Sequence, residues 1–174
     1  STGPSKRKFN FDPFEHLVRQ FVIQQSARKV AYMTETTKKL IAQQIDEGVE
    51  HHETVPQIAK RIRDVYDLWA SVGDSEIGYS RSMTIARTET GSAAGYGNFH
   101  GAVQAQVEFE VQIEKEWISS RDGDRVRESH QMLDGERVPL NQPYSNGLMY
   151  PGDPAGSPEE VISCRCVEAH HVVG

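Results

Sequence analysis

The spacing of apolar positions changes once along this chain, from steps of three and four to steps of two. After "FDP", Phe14, Leu17, Val18, Phe21 and Val22 recur at helical steps, with Asp12 placed to cap and Pro13 at the first helical position. This predicts an amphipathic helix running to about Lys29. A second helix is expected from near Thr36, carrying Leu40, Ile41 and Ile45 and stopping at Gly48. In "TVPQIAKRIRDVYDLWA", Thr54 is a candidate N-cap, and Ile58, Ile62, Val65 and Trp69 form one stripe. After the break "SVGDSEIG", a fourth helix is expected from Tyr79 to about Phe99. Its small residues, in "TGSAAGYGNFHG", either admit a close neighbour or weaken its end.

Beyond residue 101 the period becomes two. In "QVEFEVQIEKEWIS", Val107, Phe109, Val111, Ile113 and Trp117 alternate with Glu108, Glu110, Gln112 and Glu116, which predicts a strand with one buried face. A short helix from Arg125 to Leu133 follows, then a brief strand in "GERVPL" that Pro139 confines to an edge. "NQPYSNGLMYPGDPAGSPEE" reads as a long Pro/Gly loop, and "VISCRCVEAHHVV" as a terminal strand. The expected architecture is α+β: a helical N-terminal arm over residues 1–53, then a domain over 54–174 with a small antiparallel sheet and a crossing helix.

Composition narrows the function classes. The chain has 174 residues, enough for one sizeable core. A formal net charge of −6 argues against a protein that coats nucleic acid with its whole surface. The basic "SKRK" at 5–8 reads as a solvated tail, and Lys60, Arg61 and Arg63 as the exposed face of the third helix. His51 and His52 fall in a polar connection, and Trp69 and Trp117 lie on apolar phases as core anchors. Neither a membrane span nor a signal peptide is expected. Cys164 and Cys166, one residue apart, would share a face of a strand; such neighbours rarely bridge, so reduced thiols and a cytoplasmic setting are expected.

Four stretches recur here in a telling order: Arg87, Thr88 and Glu89 in "IARTETGSAAGYGN"; Lys115 and Trp117; Arg127, His130, Asp134 and Gly135 in "DGDRVRESHQMLDG"; and Pro151, Gly152, Asp153, Cys164, Arg165 and Cys166. Together they span roughly residues 54 to 167, and in this order the chain resembles the phage head morphogenesis family, minor head proteins similar to the F protein of phage Mu. The resemblance implies a minor capsid component of the virion, in the capsid interior or at the portal vertex, present in the host cytoplasm during assembly. The implied partners are portal and capsid proteins and packaged DNA, with no membrane.

The residues themselves leave three kinds of chemistry open. His130 can act as general acid or base, with Arg127 one turn away to hold a phosphate and Glu89 or Asp134 to orient the ring, as a nuclease or other effector carried with the head would require. Cys164, Cys166 and His130, with His170 or His171, can bind zinc, although paired zinc cysteines usually leave roughly two to four residues between them. The third reading is a polar clasp of Arg87, Glu89, Arg127, His130, Asp134 and Arg165 that holds segments together through charge-assisted hydrogen bonds. The expectation is the clasp, with no catalytic turnover, no metal or cofactor and the sulfurs packed as small hydrophobes. A DNA-binding accessory protein of the virion is a further alternative.

Overall fold

A 35-residue helix is the axis of the fold. The computed structural model describes residues 16–25, 35–67, 75–120 and 126–173. Asp12, Pro13, Phe14, Lys29, Trp69 and the "SKRK" run lie outside them. Element order is α1 (His16–Gln25), α2 (Glu35–Glu50), α3 (Val55–Asp67), α4 (Ser75–Phe109), β1 (Gln112–Ile118), α5 (Glu128–Met132), β2 (Arg137–Pro139), α6 (Pro158–Val161) and β3 (Val167–Val173).

The front half is a helical layer on α4. Val18, Phe21 and Val22 of α1, Ile41 and Ile45 of α2, and Ile58 and Ile62 of α3 bury against Ile85, Ala86 and Ala93. The stripes therefore find their partner within the same chain, and Phe21 stacks on Tyr96 with ring centroids 4.3 Å apart. Leu17 is a correction: it is 49% exposed, because the buried arc of α1 is narrower than its apolar pattern. Helix α2 also passes its expected stop. Gly48 lies inside it, where a β-carbon would meet Ile58 of α3. The left-handed residue is His52 at φ 55°, and the Glu53 amide donates to the Gly48 carbonyl at 2.9 Å, closing the helix as a Schellman turn. Thr54 caps α3, its amide and hydroxyl donating to Gln57 Oε1 at 2.8 and 2.7 Å, half of a capping box. His51 and His52 are exposed; Lys60 pairs with Asp64 and Arg61 with Glu53 and Glu47 on the outer face.

At the junction the period-two string divides between two elements. Helix α4 runs ten residues past the expected Phe99, so Val107 and Phe109 are helical and exposed, at 73% and 41%. An established helix adds a hydrogen bond for every residue it gains, and that outweighs alternation alone. Glu110, at φ 53°, ends it, and Gln106 Oε1 then accepts the Ile113 amide at 2.9 Å, turning the chain into β1.

The sheet has three strands in the order β2-β1-β3, antiparallel throughout. Pro139 does lie on an edge strand. On β1 the buried residues are Ile113, Lys115 and Trp117, so a lysine occupies the apolar phase. The terminal strand is shorter than its apolar run: Pro158–Val161 is helical and β3 begins only at Val167, so neither cysteine is in a strand. The short helix, expected from Arg125 to Leu133, spans Glu128–Met132.

The small residues of α4 admit the 150–152 turn against the helix. A β-carbon on Gly95 would fall on the Pro151 carbonyl oxygen, and Gly152, at φ 83°, packs on the Ser92 backbone while its carbonyl accepts the Ser92 hydroxyl at 2.6 Å. Gly95→Ala should therefore cost about 1 to 3 kcal/mol through overpacking, although alanine is the better helix former. Urea unfolding would measure it; a stabilised variant would refute this docking.

Candidate functional site

The "DGDRVRESHQMLDG" stretch leads into the best-connected polar cluster described. Arg127 sits at the N-cap of α5, and its carbonyl accepts the His130 and Gln131 amides at 3.0 and 2.9 Å. Its guanidinium crosses to donate to the Ile162 carbonyl, tying α5 to the segment before β3. One turn on, His130 points inward and is 1% exposed. Its ring stands edge-on to Trp117, centroids 5.1 Å apart, and both its nitrogens are occupied. Nε2 lies 2.9 Å from Glu160 Oε2; Nδ1 lies 3.7 Å from Cys164 Sγ and 3.4 Å from Cys166 Sγ.

The sulfurs converge because the backbone folds back before β3. The Cys164 amide donates to the Val161 carbonyl at 3.1 Å, and Ser163 adopts φ 56°, a conformation that costs energy outside glycine. Thr88 on α4 holds that turn: its hydroxyl oxygen accepts the Ser163 amide at 2.9 Å and donates to the Thr84 carbonyl. Both cysteines are free thiols, Cys164 buried and Cys166 half-buried. Hydrogen bonding from Cys164, with a further bond to His130, lowers the Cys166 thiol despite burial. The same bond, with burial, pushes Cys164 up. Burial disfavours the charged imidazole of His130, but the bonds to Cys166 and Glu160 outweigh it and raise its pKa. Burial likewise opposes the Glu160 carboxylate, and bonds from Ser129 and His130 overcome it.

The predicted site residues are distributed unevenly around this cluster. Asp134 braces the far end of α5, its Oδ1 accepting the Ser119 amide at 2.8 Å just past β1. Glu89 is buried and Arg87 half-buried on α4, while Arg165 is half-buried between the two cysteines. His170 and His171 point elsewhere: His171 Nε2 meets Glu116 at 2.6 Å and His170 Nε2 approaches Glu168 at 3.2 Å. Three residues outside the predicted site set are central. Glu160 gave no signal, being one acid in a loop. Thr88 was visible only as part of "ARTE". Lys115 was visible only as part of the Lys-x-Trp motif; its ammonium donates to the Met149 carbonyl and lies 4.9 and 4.8 Å from the Phe99 and Tyr144 ring centres.

A family model described as Phage Mu protein F like protein matches residues 35–169. The chain belongs to the Phage Mu F-like family. This makes it a minor head protein of the head-morphogenesis class, as the ordered motifs implied. The family match begins in α2 and ends in β3, so it includes the whole His130 cluster. No curated protein and no solved structure matches the chain. Among the described residues, no helix is long and apolar enough to cross a membrane.

Proposed function

We propose that this Mu F-like chain works without turnover, as a minor capsid protein that joins portal and capsid proteins during head assembly. It would then reside in the capsid interior or at the portal vertex, after assembly in the host cytoplasm. The observation that carries the reading is the family match over residues 35–169. The cluster supports the non-catalytic part. A general acid or base needs a ring nitrogen within reach of substrate, whereas both nitrogens of His130 face protein groups and the ring is buried. Arg127, His130 and Asp134 then act as a clasp fastening α5 to β1 and to the segment before β3. On this reading residues 1–53 form the arm and 54–174 the head-morphogenesis domain, with α1 and α2 seated on α4.

Co-expression with the cognate portal and major capsid proteins tests the reading. The chain is expected to co-purify with portal or with assembled heads, and heads assembled without it should be defective. The purified chain should leave RNA and DNA intact with or without chelator. Heads that form normally and exclude the chain would sink the proposal, as would cleavage that His130→Ala abolishes.

A further inference from the structure

Among the described residues the other candidates do not identify a ligand: the groove among α1, α2, α3 and α4 is mostly apolar, and the buried Lys115 is occupied by a carbonyl and two rings. The His130 cluster does. His130 Nδ1, Cys164 Sγ and Cys166 Sγ all lie within 4.8 Å of one another. We propose that these three atoms form a binding site for a divalent metal of borderline softness, zinc by chemical class, which staples α5 to the segment before β3.

Geometry is the first argument. Zinc holds sulfur at about 2.3 Å and imidazole nitrogen at about 2.0 to 2.1 Å, and a tetrahedral angle between such bonds separates the two donors by about 3.6 Å. The sulfurs stand 3.7 and 3.4 Å from the nitrogen. Both therefore lie at the separation that a shared ion sets, and on the same nitrogen.

The far side of the ring is the second argument. Glu160 faces Nε2 at 2.9 Å and is itself held by Ser129 Oγ at 3.1 Å and Asn146 Nδ2 at 3.4 Å. A carboxylate there takes the Nε2 proton as its hydrogen bond and leaves the Nδ1 lone pair aimed at the sulfurs, the arrangement in which outer carboxylates support metal-bound histidines. Placement is the third. His130 and Cys164 are buried and Cys166 is half-buried beside the Trp117 core. The one-residue Cys-x-Cys spacing, unusual for a zinc pair in an extended chain, is met here outside any strand, with both sulfurs at one nitrogen. Two thiolates and an imidazole supply three of four tetrahedral positions, leaving the fourth to water or a further donor.

The site stands or falls apart from the role in head assembly. The test uses the full chain, purified reduced, loaded with zinc and freed of excess by gel filtration. Elemental analysis should find zinc equimolar with protein, and alkylation of both thiols should be slow until a chelator is added. Replacing zinc with cobalt(II) should give the strong visible absorption of a tetrahedral ion together with thiolate charge transfer. Glu160→Gln should keep the site but weaken affinity about 10- to 100-fold. Cys166→Ser should abolish the charge-transfer band or reduce it sharply. The decisive measurements use the unsubstituted chain, so a variant that fails to fold cannot obscure them. A folded, reduced wild-type chain without equimolar zinc would overturn the proposal. So would cobalt bound with no thiolate band, or a Cys164–Cys166 disulfide forming as fast with zinc as without.

Discussion

Trp117→Ala is expected to cost about 3 to 5 kcal/mol. Trp117 is 0% exposed and centres the core of Leu133, Tyr144 and Leu148. Tyr144 meets it edge-on at 5.1 Å, and His130 does the same from α5. Truncation would therefore empty a cavity and remove the wall that holds the imidazole against the sulfurs. The indole N–H is buried without an acceptor, so part of the ring's contribution is offset by an unpaired donor. Trp117→Phe should recover most of the loss, because it keeps an aromatic edge in the slot and removes that donor. Urea unfolding followed by circular dichroism measures both; a loss under about 1 kcal/mol for the alanine variant would contradict this core.

The second large effect depends on pH and centres on Lys115. Burial lowers its pKa to about 8, with Glu168 and Asp153 opposing the shift. Between that value and the ordinary 10.5 the unfolded chain holds a proton that the native chain has released. Stability contributed by this group therefore rises with pH through the window, by at most about 1.4 kcal/mol per unit. From pH 8 to about 10 the gain approaches about 2 kcal/mol. Tyr144 and Tyr150 act in the opposite direction above about 10, since burial raises both phenols and the unfolded chain ionises first. The raised Cys164 thiol also opposes the rise above its ordinary value of 9.0, so a stability maximum between about pH 9 and 10 is the expected result, and Lys115→Met should flatten the rise. Wild-type stability falling steadily from pH 8 to 10 would show the ammonium to be ordinary.

Much of the helical half was legible, for a local reason. Val18, Phe21, Ile41, Ile45, Ile58 and Ile62 all lie on the arcs their spacing predicts, and Thr54 takes the N-cap position, although its hydroxyl donates to Gln57 instead of accepting an amide. The junction between α4 and β1 was not legible. "QVEFEV" satisfies a strand's alternation and can also extend a helix, and the decision came from α4 already being formed and from Glu110 ending it. The site was half legible. Arg127, His130 and Asp134 were singled out with roles in holding segments together, and the structure gives Arg127 and Asp134 bonds to Ile162 and Ser119. Glu160 was invisible because a loop acid acquires meaning only from the histidine opposite it, thirty residues away.

The residue pattern by itself determined the α+β class, the helical front, the edge position of Pro139 and, through the order of its motifs, membership in the Mu F-like family. Those properties follow from periodicity, backbone chemistry and short motifs, each readable within a few neighbours. Only the tertiary structure decided that α1 and α2 pack on α4, that a lysine occupies the buried face of β1, and that both sulfurs meet one nitrogen of His130. Each of these depends on distant segments reaching the same point, and that is set by burying the whole core at once.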